Sequence, residues 1–297
     1  MDIKDYRKKH EDDVAQARAS RSAHGAPEEF LGRREADADT RAKMLCKMRM
    51  TSRNLGELIP LFLDILGNKS EAVTVRSAAL DMLSASEFAG KAFADYRPQV
   101  IDAVRALASD KSPTLRKNAL EYLAQQRDDY ARDILTAAVT APEEAPVDQA
   151  KAIQLLSLDD HTNAADLVRG RFEDLSETAK EEAAYILGTD PTSADKLSEV
   201  MVDKTVRERL RRIAAAGLKA LDLQRFAERA GVVLVDRGDS ARLKAALVSM
   251  AQTARPRQNA VVTSALDSAV ETARSRTRSK TLKSAAARYF AAQRDKA

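Results

Sequence analysis

The chain has no tryptophan, one cysteine, ten glycines and eight prolines in 297 residues, and only 4% of it is aromatic. The lone Cys46 rules out an intramolecular disulfide and suits a reducing compartment, so a cytoplasmic protein is expected. Scarce Gly and Pro remove the main interrupters of helix. No stretch approaches the roughly 18 apolar residues of a membrane span, and the charged first ten residues lack the apolar core of a signal peptide. The three histidines, His10, His24 and His161, stand at no metal-ligand spacing from Cys46. Phosphate-cradling Gly-rich loops, Gly-x-Ser-x-Gly and His-Glu-x-x-His are all missing. Catalysis has no visible address, no cofactor or metal is implied, and a non-enzyme is expected.

What is present is helix-forming and repetitive. Apolar residues make up 44% of the chain, so a core would be built from Ala, Leu, Val, Ile and Met. The run Val232-Val233-Leu234-Val235 is the one arguable strand, but it sits inside a segment of helical period and reads as helix. The most developed motif is Asp110-Lys-Ser-Pro-Thr-Leu-Arg-Lys-Asn-Ala-Leu-Glu-Tyr-Leu123. Its Leu115, Ala119 and Leu123 share one helical face, with the small Ala where a neighbouring helix can come close. Pro113 suits a first helical turn.

Taking Arg116 as reference, the motif is a basic residue, a small or apolar residue three on, and an apolar residue seven on. It recurs at Arg41, Arg76, Lys180, Arg211 and Lys283, and more weakly at Gln149 and Lys244. The eight copies are spaced by 35, 40, 33, 31, 31, 33 and 39 residues, the range for one helical hairpin per repeat. Further helical segments lie between them, at residues 55–66, 97–108, 130–139, 163–172, 194–202, 222–234 and 258–274. Each repeat therefore reads as helix A, a short turn, and helix B carrying the motif. Six residues before each reference stands Glu35, Ser70, Asp110, Glu143, Asp174, Thr205, Gly238 or Thr277, mostly turn or cap formers.

The pattern Asp-x-x-x-x-Leu-Arg-x-x-Ala-x-x-x-Leu, echoed by Val75-Arg-Ser-Ala-Ala79 and Leu210-Arg-Arg-Ile-Ala214, resembles HEAT repeats. The 31-residue copies are similar in length to the short bacterial form found in phycobilin-lyase-like proteins. The resemblance implies an all-α fold, a right-handed α-solenoid of about seven or eight helical hairpins over residues 27–297, ending in a basic helix. Residues 1–26 form a charged N-terminal segment or cap. It also implies a ladder of turn Asp and helix B Arg, with Asp110, Arg116, Asp174 and Lys180 in structural roles and breaks at Gln149 and Gly238.

Charge is unevenly spread. Residues 255–297 hold ten Lys/Arg against three Asp/Glu, whereas residues 141–190 hold twelve acids against four bases. Lys204, Arg207, Arg209, Arg211, Arg212 and Lys219 crowd one helix B, and Arg274, Arg276, Arg278, Lys280 and Lys283 lead into the last one. Helix B generally lines the concave side in the family that the motif resembles. Arg207, Arg209, Arg211, Arg212, Arg276, Arg278 and Lys280 are thus the candidate partner-binding residues. The plainer reading is that they pair with Glu173, Asp174, Glu177, Glu181 and Glu182 of neighbouring repeats.

Two other strings attract notice. Asp159-Asp160-His161-Thr162-Asn163 has the ingredients of a metal or acid/base site but falls at a hairpin junction, where these residue types cap helices. Cys46, among methionines and cations, reads as a small buried residue.

The functional expectation is a non-catalytic scaffold or adaptor binding a protein partner, possessing an acidic surface, along the concave side. A nucleic-acid binder using the basic stripe is the alternative, disfavoured by modest net charge (+4) and few stacking groups. The resemblance alone adds a lyase-like or chaperone-like reading. It also raises the alkylation-repair glycosylases, from whose aromatic base cradle a Trp-free chain departs.

Overall fold

The computed structural model describes residue 30 and residues 36–51, 54–159, 163–253 and 260–294. The N-terminal cap expected over residues 1–26, His161, and the start of the 258–274 segment lie outside the described residues. Every regular element among the described residues is helical. The chain divides into two compact units, Met1–Ile134 and Leu135–Ala297, where the sequence suggests a single array.

Unit 1 contains α1 (Ala38–Lys47), α2 (Leu55–Gly67), α3 (Val73–Ser86), the short α4 (Lys91–Ala94), α5 (Arg97–Leu107) and α6 (Pro113–Gln125). The division of the chain falls inside α7 (Asp129–Thr140). The motif helices α1, α3 and α6 pack side by side, while α2 lies on α3 and α5 on α6. The 40-residue spacing between Arg76 and Arg116 comes from the 3-10 turn Glu87–Ala89 and α4, which are inserted after α3.

Unit 2 repeats the scheme with α8 (Gln149–Leu156), α9 (Ala164–Arg171), α10 (Glu177–Leu187), α11 (Ala194–Val202), α12 (Glu208–Leu221), α13 (Leu223–Val235), α14 (Ala241–Gln252), α15 (Ala260–Arg276) and α16 (Lys280–Arg294). Motif helices α8, α10, α12, α14 and α16 form one layer, each beside the next, and α11, α13 and α15 form the other. Val232 to Val235 complete the helix α13, so no strand forms there.

The motif sets where each B helix starts. In seven of the eight copies the reference residue is the fourth residue of its helix, and only Gln149 opens one. Four residues earlier stands the N-cap: the side chains of Asp37, Ser112, Ser176 and Ser240 accept from backbone N–H groups of the first turn. The positions three and seven on then point inward. Ala79, Leu83, Ala119, Leu123, Ala183, Leu187, Ala214 and Leu218 are all fully buried. Burying each leucine is worth about 1.5–3 kcal/mol, which makes this register hard to slip.

Small residues also fix how closely the layers approach. A Cβ on Gly217 of α12 would stand 2.9 Å from the Cα of Gly188, which ends α10, and 3.1 Å from Leu197 Cδ1. Backbone meets backbone there, and only glycine on both sides permits it.

Candidate functional site

Most reference residues serve the fold. Arg41 forks onto both oxygens of Glu71 at 2.8 and 2.7 Å. Arg76 donates its Nε to the Leu66 carbonyl at 3.1 Å and Nη2 to Asp110 at 2.8 Å. Arg211 does the same with the Met201 carbonyl at 2.9 Å and Asp239 at 2.5 Å. Arg76 and Arg211 thus each tie the end of the preceding helix, α2 or α11, to the acid of the next repeat, while Arg41 reaches the next repeat's acid alone. Burial opposes ionisation of Asp110, but the Ser112 N–H and Arg76 outweigh it and hold its carboxyl below the usual range.

The ladder differs from expectation in its rungs. Asp110 pairs with Arg76, while Arg116 donates to the carbonyls of Asp110 and Lys111 at 2.9 and 3.1 Å. Asp174 is exposed, and its ion pair among the described residues is with Arg171, at 3.8 Å. The expected breaks are closed. Buried Gln149 donates Nε2 to the Val139 carbonyl and accepts from Ser176 N, both at 3.0 Å, so an amide does the work of the arginine. Beside Gly238, Asp239 supplies the acid for Arg211 from one position further along.

Among the seven candidate partner-binding residues, Arg211 is the clear correction. Its side chain is 6% exposed and that of Asp239 is 4% exposed, so this charge is consumed inside the fold and offers nothing to a partner. Arg212 is half-buried, its Nε without a hydrogen-bond partner. Arg207 and Arg209 meet Glu177 at 3.2 Å and Glu181 at 2.9 Å, the pairing with neighbouring acids that the plainer reading anticipates. Both remain well exposed, and such pairs contribute little to stability.

Arg276, Arg278 and Lys280 are different. Arg276 ends α15, Arg278 lies in the turn and Lys280 opens α16. All three are exposed, and none makes an ion pair among the described residues. Arg276 and Arg278 line a cavity of about 520 Å³, with Arg237 and Lys244 facing them and Leu234, Val235 and Leu282 supplying apolar wall. Burial is the main effect holding the Lys244 ammonium below its ordinary pKa; Asp239 and Asp236 oppose it, and nearby Arg276 adds to it. Both of the cavity's carboxylates are engaged: Asp236 by Lys204 at 2.6 Å, and Asp239 by Arg211.

The surviving cations therefore gather at the A-to-B turns of unit 2, rather than along the exposed face of one B helix. Sequence reasoning passed over Arg237 and ranked Lys244 only as a weak motif copy. The signal was the loop Asp236-Arg-Gly-Asp239, whose two acids are spent on neighbours while its Arg is not.

Other candidates dissolve into structure. In the 159–163 string, residues 160–162 lie outside the described residues, Asp159 is buried, and Asn163 caps α9 through Asp166 N. No group of three His, Cys, Asp or Glu residues that could hold a metal occurs among the described residues. Cys46 is exposed, not buried as expected, because the helical period turns its neighbour Leu45 inward on α1, and Met48, which caps the helix, is buried instead. Buried Tyr122 donates to Glu87 at 2.8 Å; burial and that carboxylate push its phenol well up. No helix among the described residues is long and apolar enough to cross a membrane.

The paired-layer hairpins and buried Arg–acid rungs agree with a comparison against protein families, in which residues 59–156 match HEAT repeats. The HEAT-repeat match covers that segment, from α2 to α8. Its all-α solenoid class follows from the same match together with the stacked hairpins of each unit. A search of curated proteins finds no match. HEAT repeats generally serve as scaffolds for protein interaction, and the match identifies no partner.

Proposed function

We propose that this HEAT-repeat chain is a non-catalytic scaffold that binds a protein partner with an acidic surface along the B-helix side of the array, entered at the turn edge of unit 2. The observation that carries the reading is the set of exposed cations that make no ion pair among the described residues, Arg276, Arg278 and Lys280, beside Arg207 and Arg209, which stay exposed in their pairs with Glu177 and Glu181. An exposed guanidinium or ammonium that the fold does not use is free to meet carboxylates, and such charges speed encounter as well as select the partner.

The test is crosslinking in the native cell followed by affinity capture and mass spectrometry, with the unaltered chain and with Arg276→Glu, Arg278→Glu and Lys280→Glu combined. Specific proteins enriched by the former and lost by the latter support the reading. Equal recovery by both chains, or recovery that nuclease treatment abolishes, overturns it. Nuclease sensitivity would favour the nucleic-acid alternative instead.

A further inference from the structure

The cavity at the α13–α14 and α15–α16 turns has the features of a binding site that the fold itself does not require. Its volume, about 520 Å³, lies in the usual range of ligand pockets and exceeds the needs of a single small anion. Four cationic side chains line it, Arg237, Lys244, Arg276 and Arg278. Its two carboxylates, Asp236 and Asp239, are already matched by Lys204 and Arg211. The guanidiniums of Arg237, Arg276 and Arg278 make no ion pair among the described residues. Three guanidiniums and one ammonium thus share a hollow with two carboxylates that are already engaged by other cations, leaving an excess of positive charge that an anionic ligand would relieve.

The rest of the lining selects among anions. Val235, 44% exposed, is the apolar side chain open to the cavity beside the cations, backed by the buried Leu234, Ala273 and Leu282. No aromatic residue lines the cavity, so bases have nothing to stack on. The two resident carboxylates also disfavour the dense charge of a phosphate backbone. Planar guanidiniums around an exposed valine match separate carboxylates on a chain that also carries apolar side chains.

We infer that this cavity binds a carboxylate-rich peptide segment, its acidic side chains held by Arg237, Arg276 and Arg278 and an apolar side chain resting on the exposed Val235. This rests on the scaffold reading above and names the chemistry of the partner at that edge. Lys244 lies deeper. It donates to the Asp236 carbonyl and so shapes the loop that presents Arg237.

The full chain is titrated into a fluorescein-labelled synthetic peptide of alternating glutamates and leucines, and fluorescence polarisation is read. The matched glutamine–leucine peptide and a labelled single-stranded oligothymidine serve as the other probes. The glutamate peptide binds, and binds about tenfold more weakly to Arg276→Gln with Arg278→Gln. Arg171→Gln with Arg288→Gln, also exposed in the same unit but outside the cavity lining, leaves that affinity unchanged. Circular dichroism melting establishes that both double variants fold, as expected for exposed side chains. No binding of the glutamate peptide, equal binding of the glutamine peptide, tighter binding of the oligonucleotide, or equal loss in both double variants overturns the inference. Failure here alongside charge-dependent partner capture in cells removes the cavity and leaves the scaffold. Failure of the cellular capture with peptide binding intact does the reverse.

Discussion

Arg211 Nη1 stands 2.5 Å from Asp239 Oδ1, and both side chains are almost completely buried. The motif therefore places a charge in the core and supplies its counter-charge from the next repeat's turn. Removing one member leaves the other buried and alone. Arg211→Ala should destabilise the chain by about 3–5 kcal/mol, read by urea denaturation followed by circular dichroism. Arg209→Ala, two residues away but exposed, should cost under about 1 kcal/mol. Similar losses for the two would show that Arg211 has no such structural role.

The contact between Gly188 and Gly217 makes an unusual forecast, because helix propensity and packing point in opposite directions. Alanine in place of a helical glycine ordinarily stabilises by about 0.5–1 kcal/mol. At Gly217 the new methyl would meet the Gly188 backbone at 2.9 Å, which cannot rotate away. Gly217→Ala should therefore destabilise by about 1–3 kcal/mol. Gly170→Ala in α9, where nothing lies within 4 Å, should instead stabilise by up to about 1 kcal/mol. Urea midpoints of the two variants should move in opposite directions.

Gln149 shows what the ladder needs. Its amide both donates and accepts, serving the Val139 carbonyl and the Ser176 N–H together. Gln149→Ala leaves the buried Val139 carbonyl to be satisfied and frees the Ser176 N–H at an exposed residue, and should cost about 1–3 kcal/mol. Gln149→Arg restores a donor but offers nothing to Ser176 N, so its loss should fall between the alanine variant and the unaltered chain. Equal stability of all three would mean that the rung carries no weight.

The architecture was legible because it is written in repeated local terms. A cap four residues before the reference and apolar positions three and seven after it determine helix start, buried face and hairpin length without knowledge of anything distant. The candidate site was legible only in part. Arg207, Arg209 and Arg211 look alike in sequence, yet helical phase sends the first two to solvent and the third into the core. Whether a guanidinium is spent depends on an acid some thirty residues away, as with Asp239, and the one-position shift past Gly238 hid that partner. Arg237 was overlooked for the same reason: its isolation is visible only once Asp236 is seen bound to Lys204. The 40-residue spacing at Arg76 concealed the inserted α4, which leaves no mark on the motif itself.

Asp190 gives unit 2 a defined acid sensitivity. Burial raises the cost of its charge, but hydrogen bonds from Ser193, Thr192 and Arg169 outweigh that cost and lower its pKa to about 2 from an ordinary 3.8. A carboxyl whose pKa is depressed by folding contributes stability that is fully present above the unfolded value. That contribution is lost as pH falls through the folded value. The window is therefore from about pH 4 down to about pH 2, and neutral pH lies outside it. Asp190→Asn keeps the shape but not the charge that Arg169 meets, so it should be less stable than the unaltered chain at pH 6. Its urea midpoint should also fall less between pH 4 and pH 2, bringing the two curves together toward the acid end. Parallel curves across that range would show that the Asp190 charge is not what the 3-10 turn at Pro191–Ser193 is built around.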